Sequence, residues 1–163
     1  MKQLIIASAI ALSLAATGAF AHGDEYQAGK AEKHGEGHLD AIGKPGDPKK
    51  ISRTIGMEMS DAMRFSPAKI KVKQGETIKF VMKNTGKVKH EMVIGSLAEL
   101  KEHAEMMRKM PEMEHADPNM VSVDPAKTGE LVWQFTKAGT FDFACLQPGH
   151  FEAGMVGKVV VRR

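Results

Sequence analysis

The chain has 163 residues, 42% of them hydrophobic and 26% charged, with a formal net charge of +3 at neutral pH. That length holds one domain with room for short extensions, and the single cysteine, Cys145, cannot close an internal disulfide. A charge this close to neutrality, with no basic stripe interleaved with aromatics, speaks against a nucleic-acid binder.

The chain opens with Lys2, an apolar run from Leu4 to Ala16, and Ala19-Phe20-Ala21. A charged start, an apolar region too short to span a bilayer and a small-residue cleavage site read as a secretory signal peptide over residues 1–21. With no twin arginine ahead of the run, the general secretory route is expected. The expected location is the periplasm, with no membrane attachment after cleavage.

Residues 22–50 are rich in glycine and charge and carry few apolar side chains beyond Tyr26, Leu39 and Ile42. Such a segment buries too little surface to offset its ordering entropy, so it is expected to be a flexible tail bearing His22, His34 and His38. From Ile51 the hydrophobicity alternates with period two, and the domain is expected over residues 51–163. Ile51, Ile55, Met57 and Met59 mark the inner face of a first strand. Phe65-Ser-Pro67 reads as a break, and Ile70 and Val72 then alternate with lysines. Gln74-Gly75 turns the chain into Thr77–Lys83, with Ile78, Phe80 and Met82 inward. Asn84-Thr85-Gly86 is another turn, followed by a strand from Val88 to Ile94 in which His90, Met92 and Ile94 share parity.

Ser96, with Glu99 three residues on, predicts a capped helix over Leu97–Met110 that Pro111 ends. Leu97, Leu100, Ala104 and Met107 form its apolar stripe. The stripe reads first as core packing, and Met113, His115 and Met120 as loop. The alternative is a weak site for a soft metal ion such as copper, in which His103, Met106, Met107 and Met110 join those loop residues, since thioethers and imidazoles are soft and borderline ligands and i, i+4 and i+7 share a helix face. Glu130–Phe135 then alternates with Leu131, Trp133 and Phe135 inward. At least six short strands with one inserted helix predict an all-β fold, a β-sandwich with Greek-key connections.

The last strands carry the chemistry. In Gly139–Cys145, Phe141, Phe143 and Cys145 alternate with polar or small residues, so Cys145 is expected to point inward where its strand ends. Pro148 and Gly149 make a tight turn that can fold His150 back, and Gly154 precedes Met155 at the start of a returning strand, Met155–Val161. Thiolate, imidazole and thioether thus converge at C-x4-H-x4-M spacing. Two imidazoles, a thiolate and a weak axial thioether make the copper site of electron-transfer proteins. The missing imidazole is expected from His90. Twelve methionines and seven histidines add to the soft and borderline donors.

Taken together, His90 after N-T-G, the F-D-F-x-C strand, Pro-Gly-His150 and Gly-Met155 before V-G-K-V-V-V resemble the cupredoxins, the plastocyanin and azurin family of small copper sandwiches. The resemblance spans about residues 51–163. It implies a mononuclear type 1 site with His90, Cys145 and His150 equatorial and Met155 axial, cycling between Cu(I) and Cu(II). Two features depart from the family pattern. Glu91 stands where an Asn or Ser commonly follows the first His, and the C-x4-H loop differs from the C-x2-H loop of plastocyanin.

The His- and Met-rich helix and tail more closely resemble periplasmic cupredoxin-like proteins associated with copper tolerance. The expected function is therefore copper homeostasis or tolerance through binding and redox cycling of copper. The alternative is a diffusible electron carrier donating to a terminal reductase or oxidase, with a redox partner protein. No H-x-H pair is present for a second, catalytic copper cluster, so an enzyme is not expected.

Overall fold

The computed structural model describes residues 42–163 apart from residues 112, 114 and 115. The expected signal peptide, most of the expected tail with His22, His34 and His38, and His115 lie outside the described residues.

Among the described residues the chain runs through β1 (Lys44–Pro45), β2 (Arg53–Ser60), β3 (Arg64–Ser66), β4 (Lys69–Lys73), β5 (Thr77–Asn84), β6 (His90–Gly95), α1 (Leu97–Lys109), β7 (Met120–Val123), β8 (Thr128–Gln134), β9 (Gly139–Ala144) and β10 (Val156–Arg162). They form two five-stranded sheets, ordered β1-β8-β5-β2-β3 and β4-β10-β9-β6-β7. The pairs β2 with β5 and β4 with β10 are parallel, and the other pairings are antiparallel.

Period-two alternation explains the sandwich. Met57 and Met59 of β2, Ile78, Phe80 and Met82 of β5, and Leu131 and Trp133 of β8 supply the inner face of one sheet. Ile70 and Val72, Met92 and Ile94, Phe143, and Val159 and Val161 supply the other. Edge-to-face packing of Phe65 on Phe143, 5.0 Å between ring centroids, bridges the two sheets. Half of the twelve methionines are buried, Met57, Met59, Met82, Met92 and Met155 in this core and Met107 under the helix. Unbranched thioethers fill irregular gaps between sheets.

The second sheet is covered on its outer face at β6 and the end of β9, while β4 and β10 keep an exposed face. Strand β6 has every residue buried because α1 covers its outer side. Leu100, Ala104 and Met107 of α1 pack with Val93, Ala144 and Leu146 in a second apolar cluster. The helix begins as expected: the Ser96 side chain accepts from the Glu99 amide at 3.3 Å, and the Glu99 carboxylate accepts from the Ser96 amide at 2.8 Å. Leu97, expected in the stripe, is 43% exposed, because it sits at the first turn before the helix reaches the sheet.

Three expectations about the chain's organisation change. The packed structure begins before Ile51, the expected boundary between tail and domain. Ile42 lies in the main core, and β1 pairs with β8 through Lys44 opposite Gln134 and Pro45 opposite Trp133. One apolar residue in a glycine-rich stretch suffices here because Gly43 lets the chain run against Trp133: a side chain at Gly43 would overlap the Gln134 carbonyl and the indole nitrogen. The Phe65-Ser-Pro67 segment, expected as a break, contains β3, whose three residues pair with the end of β2 and bury Phe65. Met120, expected in a loop, opens β7 at the edge of the second sheet.

Candidate metal centre

Strands β6 and β9 are antiparallel neighbours, with Val93 opposite Ala144. The start of β6 and the end of β9 therefore meet at one end of the sheet. His90 is the first residue of β6, and Cys145 directly follows β9. The loop after Cys145 is closed by its own backbone. The Cys145 amide donates to the Met155 carbonyl at 3.0 Å, the Met155 amide to the His150 carbonyl at 3.0 Å, and the His150 amide to the Gln147 carbonyl at 2.9 Å. Gly149 and Gly154 take positive φ, 84° and 85°, and so supply the left-handed turns this loop needs. Arg64, reaching across from β3, donates to the Ala153 carbonyl at 2.9 Å and steadies the far side of the loop.

The result is one compact cluster. A ligand atom from each of His90, Cys145 and His150 lies within 4.8 Å of the others. The Cys145 sulfur is 3.2 Å from His150 Nδ1, and the two imidazole centroids are 4.9 Å apart. His90, Cys145 and Met155 are fully buried, whereas His150 is half-buried. Met155 lies in the main core with Cys145, its backbone paired to that of Cys145. Spacing and parity had nominated all four residues; the fold brings three donors together and buries the fourth beside Cys145.

His90 is held by the expected turn at Asn84 and by a distant carboxylate that no local pattern marks. Asn84 donates to the Val88 and Val123 carbonyls at 2.8 and 2.9 Å, and its Oδ1 accepts from the Gly86 amide, fixing the turn before β6. Asp61, in the turn between β2 and β3, accepts from the Lys87 amide at 2.8 Å and lies 3.2 Å from His90 Nε2. With Nε2 occupied by a carboxylate, the protonated nitrogen is Nε2 and the lone pair is on Nδ1. His90 Nδ1 is buried and has no hydrogen-bond partner. Burying an acceptor unpaired is costly, and a metal cation is the partner that would satisfy it.

Glu91 resolves the departure from the family pattern. Its amide donates to the Cys145 sulfur at 3.3 Å, so the bond to sulfur comes from the backbone. Its buried carboxylate accepts from the Leu146 amide at 3.1 Å, from Gln147 Nε2 at 3.0 Å and from Ser122 Oγ at 3.2 Å. One side chain thereby ties β6 to the segment after Cys145.

The electrostatics suit a cation. Burial pushes the Cys145 thiol up to about 12, with the Glu91 and Gln147 amides pulling the other way. A buried thiolate therefore needs a compensating positive charge, and a metal supplies one while displacing the proton. Burial, and then the neighbouring His90, hold His150 below its ordinary range, which keeps its lone pair available.

Among the described residues, the second group of soft donors does not gather in this way. Met107 faces the sheet and is buried, while Met106 and Met110 are 36% and 44% exposed on the outer side of the helix. His103, Met107 and Met110 thus do not present one common surface. His103 and Met113 are half-buried, and Met120 packs against the second apolar cluster.

The two-sheet sandwich is the fold of solved cupredoxins. A reduced auracyanin from Roseiflexus castenholzii superposes with a TM-score of 0.60 at 22% identity, over 69% of this chain and 99% of that one. An azurin from Methylomonas sp. strain J gives 0.52 at 18% identity, over 69% and 99%. The chain belongs to the plastocyanin/azurin family of copper binding proteins, whose model matches residues 52–162. Among its relatives, the copper-resistant cuproprotein CopI of Rubrivivax gelatinosus is 56% identical over 144 residues, 83% of this chain and 87% of that protein. The CopI of Vibrio cholerae is 35% identical over 167 residues, 97% of each chain.

Proposed function

We propose that the protein is a periplasmic copper-tolerance protein that holds one copper ion at a type 1 site, with His90, Cys145 and His150 as the strong ligands and Met155 as the weak axial one. The observation that carries this reading is His90 Nδ1, a buried acceptor with no hydrogen-bond partner, in a residue clustered with Cys145 and His150. A soft thiolate with two imidazoles and a thioether favours copper over harder divalent ions. The role in tolerance is supported by relatives described as copper-resistant cuproproteins. The periplasmic location rests on the charged and apolar opening of the sequence.

When bound, copper supplies one-electron chemistry between Cu(I) and Cu(II). The chain's own contribution is to fix the donors beforehand. Asp61 holds the His90 ring with Nδ1 free, the Glu91 amide bonds the sulfur, and the Glu91 carboxylate holds the loop that returns to His150. Burial of Cys145, His90 and Met155 keeps water from the sulfur. Donors held this firmly change little between oxidation states, which keeps the reorganisation barrier low. No step requires a substrate to be bound or cleaved, so the protein works as a binder and not as an enzyme.

A second reading, a diffusible carrier donating electrons to a terminal reductase or oxidase, is favoured by the half-exposed His150, the one strong ligand that reaches the surface. The two separate in cells. Under the first reading, removing the protein lowers the copper concentration the cells survive and leaves respiration unchanged; the reverse pattern would favour the carrier. The site itself is tested by titrating the metal-free protein with Cu(II). An intense thiolate charge-transfer band should saturate at one equivalent, and its absence would sink the assignment.

A further inference from the structure

Two carboxylates flank the ligand cluster, Asp61 against His90 and Glu91 bonded to the segment that follows Cys145. Glu91 is 1% exposed, and all three partners of its carboxylate are named donors: the Leu146 amide, Gln147 Nε2 and Ser122 Oγ. The Leu146 amide and Gln147 Nε2 can only donate, so the Glu91 carboxylate is held as an acceptor on both of its oxygens. Asp61 is likewise bonded by a donor, the Lys87 amide, and lies against the outer nitrogen of His90. Its side chain is 41% exposed, so its charge is screened more than that of Glu91.

Both carboxylates stand close to the ligands: Asp61 Oδ1 is 3.2 Å from His90 Nε2, and the buried Glu91 carboxylate accepts at 3.1 Å from the amide of Leu146, the residue after Cys145. Fixed negative charge this near a cation favours the more highly charged of two oxidation states.

We propose that Asp61 and Glu91 are positioning residues that bias the site toward the cupric ion, their fixed negative charges stabilising Cu(II) over Cu(I) and so lowering the reduction potential. The proposal rests on the copper assignment above. With the Cys145 thiolate counted, three negative charges surround the site, and the ion gains one positive charge on oxidation. The step is a single electron passing between an external couple and the ion, with no bond to protein broken. A site with this bias retains the ion as Cu(II) in the presence of mild reductants. That suits holding copper better than serving as a high-potential carrier.

The test uses the full chain loaded with copper, the reduction potential measured by titration against chemical mediators, and Cu(I) and Cu(II) affinities measured separately by competition with chelators. Glu91→Gln should raise the potential, with the ratio of Cu(II) to Cu(I) affinity falling about tenfold or more. Asp61→Asn should raise the potential by less, because its charge is screened, and the double variant should give about the sum. Ser122→Ala removes one bond to Glu91 but keeps its charge, and should move the potential little.

The proposal is overturned if the charge-transfer band persists in Glu91→Gln and Asp61→Asn with the potential unshifted or lowered. It is also overturned if Ser122→Ala shifts the potential as far as Glu91→Gln, since loop geometry would then be the cause. Should Glu91→Gln fail to fold or to hold copper, Asp61→Asn decides: an upward shift supports the bias and its absence refutes it. Lack of any band in the unaltered protein would instead refute the copper assignment.

Discussion

Two regions of the chain are rich in sulfur and imidazole: the Cys145–Met155 loop with His90, and helix α1 with the segment that follows it. In the first, three donors stand within 4.8 Å of one another, the loop is closed by its own backbone bonds, and one buried nitrogen lacks a partner. In the second, Met107 is committed to packing with Leu100, Ala104 and Val93, while Met106 and Met110 lie on the exposed side. The same kinds of donor converge in one place and are spread over buried and exposed positions in the other. A metal site needs its donors oriented at one point before the ion arrives; an apolar cluster needs only shape and volume.

The sharpest way to break this comparison is to remove the thiolate. Cys145→Ser should abolish the charge-transfer band and stoichiometric Cu(II) binding, because a neutral hydroxyl replaces the one anionic ligand; absorption and metal counting check it. If copper stays bound at one equivalent with the band intact, the loop is not the site.

On the helix side, Met107→Ala should lower the free energy of unfolding by about 2–5 kcal/mol, the range for truncating a buried side chain, while copper bound per chain stays the same. Chemical denaturation and metal analysis of one preparation read both quantities. Lost copper with unchanged stability would reverse the roles given to the two regions.

Met155 shares features of both, being core by burial and a ligand in the proposed site. Met155→Leu conserves volume, so stability should change by less than about 1.5 kcal/mol. Copper should remain and the potential should rise, since the axial thioether tunes more than it holds. Loss of copper from a folded Met155→Leu protein would make the thioether a strong ligand.

The smallest effect is that of pH on the metal-free protein. His150 is held below its ordinary value near 6.5, so the folded state binds fewer protons than the unfolded one, and stability falls as pH drops from there through the lowered value. The Cys145 thiol is raised from 9.0 to about 12, so its contribution is complete below pH 9 and is lost as pH climbs toward 12. Thermal melts across pH should show a plateau between these limits, and Cys145→Ser should remove the alkaline decline alone.

Much of this was legible in the residues. Alternation located the buried faces of β2, β4, β5, β8 and β9, and Ser96 with Glu99 marked the helix start. The Cys145 loop was readable because Pro, Gly and three donors stand close in sequence. What was hidden depends on contacts between distant residues. Asp61 is 29 residues from His90 and sits in an ordinary turn, and nothing local distinguishes it from a solvated carboxylate. Glu91 stood out only as a departure, and its meaning came from Leu146 and Gln147, 55 and 56 residues away. Strand β1 was invisible for a similar reason: two residues have no periodicity, and their partner lies in β8.

The contrast between the two regions comes down to which donors meet the ion. Pulsed electron paramagnetic resonance of the full chain carrying one equivalent of Cu(II) reads that ligand set directly. The account predicts two imidazole nitrogens and strong coupling to the β-protons of a cysteine, with an unchanged spectrum when Met106 and Met110 are replaced by leucine. A spectrum without the cysteine coupling, or one that changes with the helix methionines, would contradict it.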